Sequence, residues 1–110
     1  MKIDVLGTEY EVIICTEDED KRLDGWDGYC DETIHQCVID SYKASREDPK
    51  AKANLDIQMK KNIRHELIHA FLFESGLAEN SPWAQTEEMV DWFAKQFPKL
   101  LKAFKEADAL

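Results

Sequence analysis

The stretch "IRHELIHAFLFESG", residues 63–76, sets two of the chain's three histidines four residues apart, with a glutamate between them, inside an otherwise apolar run. A helix turns about 100° per residue, so with His65 at zero, His69 lies near 40° and Glu66 near 100°. The three ionisable groups therefore share one arc. Leu67, Ile68, Ala70, Phe71, Leu72 and Phe73 make the remainder apolar nearly all the way round, which predicts a central helix with little solvent contact.

Ionisable groups in such a setting are costly unless a partner replaces their lost hydration. A cation answers that difficulty. Imidazoles at i and i+4 direct their nitrogens at one spot, and Zn²⁺ accepts such nitrogens at about 2.0–2.1 Å. "HELIH" is the HExxH spacing, in which both histidines hold zinc and the glutamate serves as general base of metal-assisted hydrolysis.

A catalytic zinc takes three protein ligands and keeps one position open, so a third ligand is needed. "TEEMVDWFAKQFP", residues 86–98, offers Glu87 and, one turn on, Asp91: a carboxylate ligand and an acid able to orient a ligand histidine. Glu88 is the rival, displaced by about 100°. Val90, Phe93, Ala94 and Phe97 flank the direction of Glu87 and Asp91 and mark that face as the one turned to the core. The seventeen residues between His69 and Glu87 suffice for one helix to end and a second to return antiparallel beside it.

The rest of the chain reads as follows. Residues 2–6 and 9–15 alternate in polarity around Gly7-Thr8 and predict a hairpin. "TEDEDKRLDGWDG" is a charged connection, "GYCDET" a turn, and Glu32–Ile39 a further strand bordering the cleft. A long helix is expected from about Leu55 to Ser75, with Gly76 as its left-handed cap. A second helix starts at Ser81-Pro82 or Thr86 and runs to about Phe97. Beyond Pro98 comes either a kinked continuation or a separate helix docking Leu100, Leu101 and Phe104 on the body. The expected fold class is α+β, one domain over 1–110. Residues 1–40 are mainly strands in a small mixed sheet, 55–76 form the HExxH helix, and 82–110 hold the third-ligand helix and a C-terminal helix.

The formal net charge of −9 argues against a nucleic-acid partner, since phosphates would be repelled. The absence of an apolar leader or an 18-residue apolar span predicts no membrane partner and a cytoplasmic location. Cys15, Cys30 and Cys37 are odd in number without CxxC spacing and read as free thiols, with Cys30 near enough to the candidate edge strand to be weighed as a blocking ligand. Asp20, Asp24, Gly25 and Asp31 match four positions of a calcium loop, but Arg22 stands where an oxygen ligand is required.

"HELIH", the following "ESGL" and "EEMVDWFAKQFP" together resemble the zincin metallopeptidases of the gluzincin pattern, HExxH with a downstream ExxxD. The second half is similar to the corresponding helix of the ImmA/IrrE-type peptidases of phages and mobile elements. The resemblance covers about residues 55–98. It implies one zinc per chain held by His65, His69 and Glu87, with Glu66 as general base and Asp91 behind a ligand. It also implies a sheet edge that pairs with a protein or peptide substrate, and a zinc metallopeptidase, an endopeptidase in preference to an exopeptidase. Val90 stands where the family has alanine, and the companion DNA-binding domain is missing from these residues, which argues against repressor cleavage. Tyr29, His35 and Tyr42 are candidates for stabilising oxyanion charge. The competing expectation is a zincin-like zinc-binding interaction module of phage or prophage origin without peptidase activity. An intact Glu66 speaks against it.

Overall fold

Alternating polarity on either side of a tight turn makes a hairpin. In the computed structural model, which describes residues 1–110, β1 (Lys2–Val5) and β2 (Thr8–Cys15) pair antiparallel. Leu6 and Gly7 both take positive φ, 51° and 90°, the backbone twist that lets a two-residue turn match its strands. β3 (Gly28–Asp31) and β4 (Gln36–Asp40) complete a four-stranded sheet of order β1-β2-β4-β3, with β2 and β4 parallel and the other pairs antiparallel. The mixed sheet is as expected, but two local readings need correction. "GYCDET" contains the edge strand β3 rather than a turn, and Glu32–His35 form the turn rather than the start of a strand. The side chain of Asp31 accepts from both Thr33 N and Thr33 Oγ1, which closes the chain there, and His35 sits at φ 54°.

Helix α1 (Leu55–Glu74) begins where Asn54 Oδ1 accepts from Ile57 N and ends before Gly76, whose φ of 83° is the left-handed cap the sequence predicts. It lies on one face of the sheet. There Ala70 meets Val5, Tyr10, Val12, Cys37 and Ile39, and the small side chain of Ala70 allows close approach. The opposite face is covered by the long connection 16–27, through Leu23 packed with Cys15 and Val38. Glu74 fixes the far end of α1 to the hairpin by accepting from Tyr10 Oη at 2.8 Å and Thr8 Oγ1 at 3.0 Å. Of α1 itself only Asn62, Glu66 and Ala70 are buried, while Ile57 and Phe71 reach solvent. The expected all-round burial fails because the sheet covers one side and a single neighbouring helix another, leaving a third side open.

A short helix α2 (Leu77–Asn80) and a 3-10 turn at Pro82–Gln85 lead into α3 (Glu87–Glu106), with Thr86 at its start. Pro98 does not end α3. Proline lacks the N–H that would bond Ala94 O, and that carbonyl instead accepts from Arg64 Nε of α1 at 2.6 Å. The substitute donor lets one long helix stand where the sequence left open a separate C-terminal one. Val90 and Ala94 are fully buried as expected, but Phe93, Phe97 and Phe104 are not core residues. They lie to one side of the line that α1 covers. No helix is long and apolar enough to cross a membrane.

Candidate metal centre

Helices α1 and α3 meet where the first carries its histidine pair. His65 Nε2 lies 2.9 Å from Glu87 Oε2, and His69 Nε2 lies 2.9 Å from Glu87 Oε1, so one carboxylate bridges both rings. Ligand atoms of His65, His69 and Glu87 all fall within 4.8 Å of one another, close enough for one metal ion. Glu87 is 71% exposed as a side chain, yet its head is held at the rings. Glu88 is exposed and is not part of the group.

The donor set suits the ion the sequence suggests: two imidazole nitrogens and a carboxylate oxygen are what zinc accepts, with a position left for water. Burial lowers the pKa of His69, which favours the neutral ring a metal requires. Asp91 Oδ1 stands 3.1 Å from His65 Nδ1, so an Nδ1–H can donate to it and leave Nε2 free to ligate. Asp91 also accepts from Lys61 Nζ at 2.8 Å, and this ammonium, more than the His65 contact, holds its carboxyl below the usual carboxylate range. Lys61 went unnoticed in the sequence. Its signal was its place one turn before His65 on the same side of the helix.

Glu66 is 8% exposed, and burial, reinforced by Glu87 and opposed by His65 and Lys61, pushes its carboxyl up to about 7. Opposite it is Gly28 of β3. A Cβ added there would meet Val38 O at 2.9 Å, Ile39 Cδ1 at 3.3 Å and Glu66 Cγ at 3.4 Å, so glycine admits the close approach of the β4 backbone there, with Glu66 beside it. The centre opens into a cleft of about 830 Å³ whose walls include Arg22, Trp26, Gly28, Asn62, Phe73 and Gln85.

The three oxyanion candidates do not meet at this centre. Tyr29 lines the cleft, but its hydroxyl donates to Asp20 Oδ2 at 2.5 Å, and Arg22 lies over its ring at 4.4 Å. Tyr42 is buried behind the site. Its hydroxyl donates to Asp27 at 2.6 Å and accepts from Asn62 Nδ2 at 2.7 Å. His35 sits at the other end of α1 beside Tyr10 and Glu74. Each was placed by nearness in sequence to the expected edge strand, whereas pairing and turn geometry turned each hydroxyl or ring toward a carboxylate elsewhere.

Cys30 faces Cys37 across the β3–β4 ladder and packs against the core cluster. It is not one of the grouped ligands, and all three cysteines are free. Two carboxylates of the calcium-like loop are engaged by protein donors: Asp20 by Arg22 N and Tyr29, Asp31 by Arg22 and Thr33. Compared with family models, with curated proteins and with solved structures, the chain matches none of them.

Proposed function

We propose that this chain is a zinc-dependent peptidase whose ion is held by His65, His69 and Glu87. The observation that carries the reading is the conjunction of a three-donor group with a buried Glu66 at the floor of an open cleft. A bound zinc supplies a Lewis acid that polarises a peptide carbonyl and brings the pKa of water toward about 7.

The chain's own groups account for the remaining work. Glu66, as carboxylate, takes the proton of the attacking water at a carboxyl oxygen and returns it to the departing amine nitrogen. Its raised proton affinity suits both halves of that exchange near neutral pH. Asp91 orients His65, and Lys61 keeps Asp91 ionised. On β3, Asp40 N donates to Asp27 O, so residues 27, 29 and 31 bond toward β4 and the N–H and C=O groups of Gly28 and Cys30 fall on the free edge. An extended peptide added to that edge would run along the cleft past Glu66.

The test compares wild type with Glu66→Gln, each loaded with zinc, on a mixed peptide library. The expected outcome is equal metal content, with hydrolysis in the wild type and none in the variant. Stoichiometric zinc with no turnover in either protein would favour a zinc-holding interaction module instead.

A further inference from the structure

Strands β3 and β4 each carry one cysteine, and Cys30 and Cys37 stand directly opposite each other in the antiparallel ladder. Because Asp40 N donates to Asp27 O, the ladder bonds are exchanged at residues 27, 29 and 31, and Cys30 with Cys37 is a pair without them. At such a position the Cα atoms approach to about 4.5 Å and the side chains lie closer than at a bonded pair. A disulfide spans Cα separations of about 4.4–6.8 Å, so the ladder already supplies the reach the bond needs.

Both side chains leave the sheet on the same face. Cys37 is fully buried in the cluster beneath α1, Cys30 packs against that cluster, and Cys37 Sγ lies 3.5 Å from Glu66 O. Cys30 is only half-buried and lines the cleft, so a reagent in the cleft meets Cys30 first, with Cys37 behind it. Cys15 is on the other face with Leu23 and Val38, out of reach of both.

We propose that Cys30 and Cys37 are a reversible disulfide site, oxidised by exchange with a small disulfide of the glutathione kind that enters the cleft, and that the bond staples the edge strand β3 to the sheet. The Cys30 thiolate attacks one sulfur of the small disulfide, forming a mixed disulfide and expelling one thiolate. The Cys37 thiolate then attacks Cys30 Sγ, forming the Cys30–Cys37 bond and expelling the second. Both chain thiols lose a proton, both expelled thiolates gain one, and the small disulfide is reduced as the pair is oxidised. The fold has already brought the two residues together, so closing the loop 30–37 costs the folded chain little of the entropy a flexible loop would lose. Contact with Cys37, then burial, holds the Cys30 thiol above its ordinary range, so the exchange runs at the slow end of the seconds-to-hours scale. β3 is a four-residue strand bonded to the sheet on one side only, and a covalent link within it suppresses its fraying. Nothing in the pairing depends on the metal centre.

The test holds the full chain, in chelator, in millimolar oxidised glutathione for a day, then alkylates the remaining thiols and maps them by mass spectrometry. The expected product has lost the mass of two hydrogens and alkylates at Cys15 alone, and dithiothreitol restores all three free thiols. Cys15→Ala gives the same bond, whereas Cys30→Ala, a change at a half-buried site that leaves the circular dichroism as in wild type, gives none. Hydrogen exchange at the Tyr29 and Asp31 amides, which bond toward β4, slows about tenfold or more in the oxidised chain. A wild type that keeps three free thiols would overturn the proposal. So would a lasting glutathione adduct on Cys30 with Cys37 still free, a disulfide that includes Cys15, or a Cys30–Cys37 bond that leaves both amides exchanging as before.

Discussion

Replacing Glu66 by glutamine in metal-free protein should remove a dependence of stability on pH that the wild type carries. The carboxyl titrates at about 7 in the fold against 4.5 for the free group, because only 8% of the residue is exposed and Glu87 lies nearby. The folded state therefore holds this proton more tightly than the unfolded chain. That contribution is complete below the unfolded value of 4.5 and is lost as pH rises through about 7. Each tenfold difference in proton affinity is worth about 1.4 kcal/mol, so the loss between about pH 4.5 and pH 8 comes to about 3 kcal/mol. For a domain of this size it corresponds to a fall in Tm on the order of 10 °C.

The assay is chemical unfolding in chelator at a series of pH values, followed by circular dichroism, for wild type and Glu66→Gln in parallel. Other titrating groups are common to both, so their difference curve isolates Glu66. Wild-type stability should decline relative to the variant as pH rises and level off above the titration. Parallel curves across the range would refute the reasoning, because they would mean that the carboxyl is as well hydrated in the fold as in the unfolded chain.

Further outcomes follow from the same geometry. Elemental analysis should find about one zinc per chain in wild type and in Glu88→Ala, and little in His65→Ala or Glu87→Ala, since only Glu87 bridges the rings. Asp91→Asn should keep the fold but weaken zinc about 10–100-fold in a chelator competition, through loss of the acceptor behind His65. Arg64→Met should cost about 1–3 kcal/mol in urea unfolding by leaving Ala94 O without its donor, and much less in a Pro98→Ala background, where the helix supplies the N–H itself. Additive costs in that double-mutant cycle would show that Arg64 acts elsewhere.

How much was legible differs by element, for physical reasons. HExxH fixes its own geometry, because residues four apart on a helix face one way whatever surrounds them. His65, Glu66 and His69 could be read without a fold. The N-terminal hairpin and the ends of α1 were also local matters, decided by alternation, by Asn54 and by the left-handed Gly76. Glu87 was legible only as one of two neighbours until α3 was laid against α1.

What only the tertiary structure decided are the pairings between distant segments. Lys61 with Asp91, Arg64 with the carbonyl freed by Pro98, and Gly28 opposite Glu66 each join residues at least 30 positions apart. No periodicity within either partner announces such contacts. The partners of Tyr29, His35 and Tyr42 were hidden for the same reason: strand register and turn conformation aimed them at Asp20, Glu74 and Asp27. A helix's own spacing determines which of its side chains share a face, but only its neighbours determine what that face meets.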